Sequence, residues 1–190
     1  SGADPNIRNY DGETALMRAS FEGYTENVES LLRYGADPNI TDNNLGDTAL
    51  IYACRRMRSW NTIQQAFDIV ELLLDHGALP NIRNDNGMTA LIYASQIGRT
   101  DIVRSLLDRG ADPNITDDDR TALIIAETDG HGDTARVIRN HIGLQRARQR
   151  ARQNLAFATS FMSRDTPLQN LDYDGITQLM SRARKYNPSV

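Results

Sequence analysis

The side chains whose types could do chemistry in this 190-residue sequence are few: Cys54, the histidines His76, His131 and His141, and the carboxylate run Asp117-Asp118-Asp119. A thiol next to an imidazole could be a nucleophile, thiols and imidazoles at ligand spacing could hold zinc, and clustered carboxylates could hold calcium. None has the pattern its chemistry needs. The histidines and the cysteine are scattered. No Gly-rich phosphate loop, nucleophile elbow, His-Glu-x-x-His or paired-Cys motif occurs. The aspartates lack the twelve-residue loop with its Gly and Glu, so they read as an acidic turn tip. Cys54 stands where a small packed residue belongs and reads as core, and His76, just before Gly77, favours the negative end of a helix. The sequence therefore predicts a protein that is not an enzyme and needs no cofactor or metal.

The remaining candidates are binders. Arg55, Arg56, Met57, Arg58 and the only tryptophan, Trp60, lie together; Trp60 either packs onto a lengthened helix pair or forms a binding anchor flanked by arginines, the residue types that dominate interface hot spots. Arg146, Arg148, Arg150 and Arg152 alternate with Gln and Ala and splay around a helix. Charge is split: residues 1–143 hold 13 basic and 22 acidic side chains, residues 144–190 hold 8 and 3, giving −9 and +5. The acidic body opposes nucleic acid, no aromatics interleave with the tail arginines, and no apolar run reaches the roughly 18–20 residues of a membrane span. A single cysteine fits a reducing compartment, so the expected location is intracellular, cytoplasmic or nuclear.

What positions these residues is a repeat. Gly-Ala-Asp-Pro-Asn-Ile occurs at Gly2–Ile7, Gly35–Ile40 and Gly110–Ile115, with Gly77-Ala78-Leu79-Pro80-Asn81-Ile82 as a variant, and the prolines are 33, 42 and 33 residues apart. Thr14-Ala15-Leu16-Met17 recurs at Thr48, Thr89 and Thr121, and Val28-x-x-Leu31-Leu32 recurs at Val70 and Val103. Asp11-Gly12 and Asn86-Gly87 mark tight turns. Each threonine can cap a first helix, broken at Gly23 or Gly98. A second helix carries the Val-Leu-Leu stripe at i, i+3, i+4 and ends at a glycine. One such unit cannot cover its own apolar stripe, so neighbours must stack into a continuous core. On this register Leu31→Ala and Leu106→Ala each cost about 2–5 kcal/mol.

These residues resemble the ankyrin repeat, a 33-residue unit with a Thr-Pro-Leu-His-x-Ala signature, over about residues 1–143. The resemblance implies an all-α ankyrin-repeat solenoid of helix-turn-helix units with short β-hairpin tips. A partial repeat at 1–10 precedes repeats at about 11–43, 44–85, 86–118 and 119–143. The family's Pro is alanine here (Ala15, Ala49, Ala90, Ala122) and its His is apolar (Met17, Ile51, Ile92, Ile124). The inter-repeat hydrogen bonds of that His are thus lost, which leaves dispersion and burial to hold neighbours together. His131 stands where the family carries a histidine for a structural loop bond. The wording Thr-Ala-Leu-Met/Ile is similar in style to ankyrin proteins of large DNA viruses.

The long unit holds nine surplus residues, one in its hairpin and eight between its helices at about 55–65, where Asn61 or Thr62 could cap a lengthened second helix. Repeat four lacks the turn glycine and has Arg139 in place of a stripe leucine, as suits an end unit. Ser1–Tyr10 supplies only the tail of a repeat, from which a longer array and an uncapped, self-associating first unit are expected. The region 144–190 reads as a C-terminal helical cap or extension. In it Leu144, Ala147, Ala151, Leu155, Ala158 and Met162 form a stripe over a helix Leu144–Met162, and a second apolar set lies at 167–185. The latter is weakly similar to the F-box-like helices of some viral ankyrin proteins, though the Leu-Pro-x-Glu core is absent.

The resemblance implies protein–protein binding on the concave surface of hairpin tips and first helices. The expected contact residues are Tyr10, Glu13, Phe21, Glu22, Asp47, Arg55, Arg56, Trp60, Met88, Gln96, Ile97, Asp118 and Arg120. Phe21, Met88 and Ile97 stand out as apolar where the fold needs no filling. Two other readings stay open: a substrate adaptor holding ubiquitin-ligase components through 167–185, and a structural component of a larger assembly.

Overall fold

The structure, a computed structural model, describes residues 2–55 and 63–165, with the side chains of 2–55 and 64–156. The repeat strings become four helix pairs: α1 (Ala15–Glu22) with α2 (Thr25–Arg33), α3 (Ala49–Arg55) with α4 (Ile63–Asp75), α5 (Ala90–Ile97) with α6 (Thr100–Asp108), and α7 (Ala122–Thr128) followed by α8 (Gly132–Asp165). First helices stack on first helices and second on second, α1 on α3 on α5 on α7 and α2 on α4 on α6. By compactness the chain divides at residues 1–141 and 142–190.

Local chemistry sets each unit. The hydroxyls of Thr14, Thr48, Thr89 and Thr121 accept the N–H three residues on, each at 3.3 Å, so every first helix has the same N-cap. Gly98 closes α5 with φ +77°, and a Cβ there would run into the His131 ring. That ring, as the family resemblance implies, ties the loop across units: His131 Nε2–H donates to the Gln96 carbonyl at 3.0 Å. The His76 ring likewise donates to the Leu72 carbonyl near the end of α4, at 2.8 Å.

The stripes make one core. Val28, Leu32, Val70, Leu73, Val103, Leu106 and Ile138 are buried, as are Leu16, Leu50 and Leu91. Leu31 is only half-buried, because it and the exposed Ala15 lie on the outer side of the first unit; Leu73, Leu106, Ala49, Ala90 and Ala122, at the same places, are covered by the preceding unit. Ala15, Ala19 and Leu31 with Tyr24 and Tyr34 line an open groove of about 730 Å³ there. At the other end Ile124 is 41 % exposed, whereas Met17, Ile51 and Ile92 are buried. Arg139 pairs with Glu127 at 2.5 Å on that wetter surface.

The long unit's α4 has 13 residues against 9 in α2 and α6, the lengthening read from the sequence. Asn61, Thr62 and the rest of the insertion lie outside the described residues.

Two expectations are corrected. The basic run after Gly143 does not start its own helix: α8 passes through Gly143 as one 34-residue helix. Gly35, Gly77 and Gly110 are each followed within three residues by proline, which prevents resumption; Gly143 is followed by Leu-Gln-Arg-Ala, good helix formers that offset its own cost of about 1 kcal/mol. The start of the expected stripe is no buried seam, since Leu144 is 60 % exposed.

The second correction concerns the joints between units, which are not held by burial alone. Asn6 Nδ2 donates to the Gly35 carbonyl and its Oδ1 accepts the Asp37 N–H. Asn39 does the same to Gly77 and Leu79, and Asn81 to Gly110 and Asp112, the N–H bonds all being 2.8 Å. Asn114 turns back on Asp112 of its own loop. The Pro-Asn of each repeat string is thus a cross-unit clamp.

Candidate functional site

The surface built from hairpins and first helices is organised by buried polar side chains. Two residues after each repeat isoleucine stands an Asn or Asp: Asn9, Asp42, Asn84 and Asp117. Asn9 Oδ1 accepts the N–H groups of Asp11 and Glu13, Asn84 Oδ1 those of Asn86 and Met88, and Asp42 Oδ1 those of Asn44, Leu45 and Gly46. A side-chain oxygen inside the turn takes up the N–H groups left over by the few backbone bonds of each loop, such as Asn9 N–H to the Glu13 carbonyl and Asn84 N–H to the Met88 carbonyl. Among the described residues only the fourth hairpin contains strands, β1 (Thr116–Asp117) and β2 (Arg120–Thr121), antiparallel with Asp117 opposite Arg120. Without a glycine in its tip, Asp118 takes the left-handed conformation at φ +40°, which Asp tolerates better than most residues.

The hairpins are then bolted to the first helices. Tyr52 Oη donates to Asp42 Oδ2 at 2.7 Å and approaches Glu13 Oε1 of the neighbouring hairpin at 3.2 Å. Arg55 pairs with Asp47 at 2.5 Å, Asn84 donates to the other Asp47 oxygen at 2.7 Å, and it contacts the Tyr93 hydroxyl at 3.3 Å. Above this layer Phe21 meets the Tyr52 ring edge-on with centroids 5.7 Å apart, and the Arg55 guanidinium lies 5.2 Å from the Tyr52 ring centre.

Burial opposes ionisation of Asp42, yet the N–H groups of Leu45, Asn44 and Gly46 and the Tyr52 hydroxyl outweigh it and hold its carboxyl below the ordinary value. Asp47 goes the other way: burial raises it beyond what Asn84 and Arg55 recover, and the nearby Asp42 and Asp85 add to the rise. Burial, then the Asp42 and Glu13 carboxylates, push the Tyr52 phenol up, so it stays a donor. Burial pushes the Cys54 thiol up to about 12 against the charge of Arg99; the thiol is core, as its position in the repeat implies.

The expected contact residues divide accordingly. Tyr10, at 105 % relative exposure, Gln96, Asp118 and Arg120 are exposed, and Phe21, Glu22, Arg55, Ile97 and Glu13 are partly so. Asp47 and Met88 are corrections: Asp47 is 0 % and Met88 9 % exposed. In the two middle units the residue before the capping threonine faces inward between hairpins, so Asp47 braces Arg55 and Asn84, and Met88 fills space. Phe21, too, serves the fold through its contact with Tyr52. Arg56 and Trp60 lie outside the described residues, as does the segment 167–185. Missed by the sequence reading were Asp42, Tyr52, Asn84 and Tyr93; the recurring Asn or Asp after each isoleucine was the available signal. Among the described residues no cluster of ligating side chains could hold a metal ion and no helix is long and apolar enough to cross a membrane.

Comparison with known proteins agrees with this architecture. The family model for ankyrin repeats (three copies) matches residues 1–77 and 59–149. Ankyrin repeat protein L86 of Acanthamoeba polyphaga mimivirus is 40 % identical over 107 residues, 48 % of this chain and 18 % of that protein. Ankyrin repeat protein L92 of the same virus is 44 % identical over 88 residues, 45 % and 19 % of the two chains. Human ankyrin repeat and SOCS box protein 3 is 31 % identical over 122 residues, 50 % of this chain and 23 % of that one. The chain thus spans about a fifth of the length of the curated relatives it matches. With four capped helix pairs stacked in order and the family pattern running through them, the chain belongs to the ankyrin repeat family.

Proposed function

We propose that this chain binds another protein along the row of hairpins and first helices. Ankyrin repeats support protein–protein interaction as a class, and the observation that carries the reading is the Phe21–Tyr52–Arg55 stack. It holds an aromatic edge and a guanidinium, groups enriched in hot spots, on a base of buried hydrogen bonds that fixes their positions before a partner arrives. Tyr10, Phe21, Glu22, Arg55, Gln96 and Ile97 are the contact residues; Asp47 and Met88 support them from beneath. The array acts by shape and electrostatics and catalyses nothing. The single, deeply buried thiol supports a reducing, intracellular setting, cytoplasmic or nuclear.

The test is site-specific photocrosslinking. A benzophenone amino acid at Tyr10, Phe21 or Gln96 is expected to capture the same partner in native extract, while the label at Glu29 or Arg104, exposed on the second helices, captures none of it. Equal capture from both sets would end the reading.

A second reading, the adaptor for ubiquitin ligation, draws on the SOCS box in the human relative's name and on the apolar segment 167–185. Since α8 runs through Gly143, the discriminating cut is after Asp165: an adaptor loses ligase components and keeps its target. Retention of both, or absence of ligase subunits from the full chain, removes this reading.

A further inference from the structure

The fourth hairpin breaks the rule the other three obey. The Oδ1 of Asn9, Asp42 and Asn84 each collects two or three hairpin N–H groups. The polar arms of Asp42 and Asn84 also reach the tyrosine of their own first helix, Tyr52 or Tyr93, and the residue before the previous capping threonine completes each group, Glu13 on Tyr52 and Asp47 on Asn84. At repeat four the corresponding places hold Ile125 and Met88, both apolar. The hairpin is one residue shorter from Ile115 to Thr121 than from Ile82 to Thr89. Asp117 is consequently 5 % exposed with no donor on Oδ1. Its Oδ2 takes one contact, from Arg120 Nη2 at 2.8 Å, an arginine whose own side chain is 58 % exposed. The tip above it, Asp118-Asp119, is exposed, and neither carboxylate has an ion pair among the described residues.

From this we infer that the hairpin of repeat four is a docking point for an arginine side chain of the partner protein, seated on the Asp117 carboxylate under the Asp118-Asp119 tip. This rests on the protein-binding reading above and narrows the partner's chemistry. Arginine fits because its guanidinium is weakly hydrated and gives up less water than a lysine ammonium on meeting a largely buried carboxylate, whose Oδ1 is covered and whose Oδ2 is the oxygen on offer. Arg120 reaches that oxygen and acts as an internal stand-in. The partner's guanidinium replaces it, and Arg120 swings into solvent. The site is a cation receptor built on one buried and two exposed carboxylates.

The test is NMR titration of the full chain with N-acetyl-arginine amide and, separately, N-acetyl-lysine amide at low salt. Amide shifts are expected to concentrate on residues 116–121, with arginine binding tighter than lysine by roughly three-fold or more. Arg120→Gln removes the stand-in and is expected to tighten binding several-fold, while Asp117→Asn abolishes it. Should Asp117→Asn not fold, the double variant Asp118→Asn/Asp119→Asn, on exposed positions, carries the test and is expected to weaken binding. Shifts spread equally over the hairpins of Asp11 and Asp85, or an Arg120→Gln variant that binds no better, would overturn the inference. Crosslinks from Tyr10, Phe21 or Gln96 that form while this hairpin stays silent would sink it and spare the broader reading; arginine bound here with no such crosslinks would do the reverse.

Discussion

The Tyr52 hydroxyl sits 2.7 Å from Asp42 Oδ2 and 3.2 Å from Glu13 Oε1, one phenol joining two consecutive hairpins. Tyr52→Phe takes a donor from an ionised, buried carboxylate, and hydrogen bonds to charged groups contribute about 1.5–3 kcal/mol. The loss will depend on pH. Asp42's folded pKa lies below its unfolded value, so its ionised form stabilises the fold above the ordinary carboxylate pKa of about 3.9 and ceases to as pH falls through the folded value. Removing the hydroxyl lifts that folded value. Urea titrations across the acid range are expected to show the gap between variant and wild type wide at neutral pH and closing as Asp42 protonates. A gap constant with pH would mean the hydroxyl does not stabilise the Asp42 charge.

Leu106 and Leu31 hold the same place in their units but not the same burial. Leu106→Ala is expected to cost about 2–5 kcal/mol, as a fully enclosed leucine does. Leu31→Ala, half open to solvent, loses less, on the order of 1–2 kcal/mol from the smaller area withdrawn from water. Equal losses in chemical denaturation would show that the outer side of the first unit is covered in solution.

The asparagine clamp has its own signature. Asn39→Ala removes the bonds to the Gly77 carbonyl and the Leu79 N–H, at about 1–2 kcal/mol for two exposed bonds at the net value of each. Hydrogen exchange is the sharper measurement, because the Leu79 amide alone in its loop loses its acceptor. Unchanged protection at Leu79 would count against the clamp.

Cys54, with its thiol pushed up to about 12, is expected to resist a thiol-specific disulfide reagent in the native protein near neutral pH and to react at once in urea. Stoichiometric labelling of the native chain would contradict its place in the core.

Repeat strings, threonine caps, apolar stripes, the lengthened α4 and the His131 loop bond could all be read from residue types, since each depends on a side chain's own preference. The clamps could not be inferred the same way. Asn6, Asn39 and Asn81 bond to main-chain atoms, which every sequence presents alike, so spacing gives no hint of the acceptor. Asp47 and Met88 misled for a related reason: both precede a capping threonine, and their inward direction is set by the neighbouring hairpin. Gly143 misled because no proline follows it as one follows Gly35, Gly77 and Gly110, and the helix formers after it carry α8 on.

That the clamp recognises only main-chain atoms has an evolutionary consequence. A unit carrying Pro-Asn can be duplicated, deleted or shuffled beside any other, and the joint forms without tailoring of the newcomer's side chains. The 42-residue interval between Pro38 and Pro80, joined by the same bonds as the 33-residue ones, shows a linkage indifferent to cargo. Mutation is thereby left free to rewrite the exposed tips at little cost to the stack.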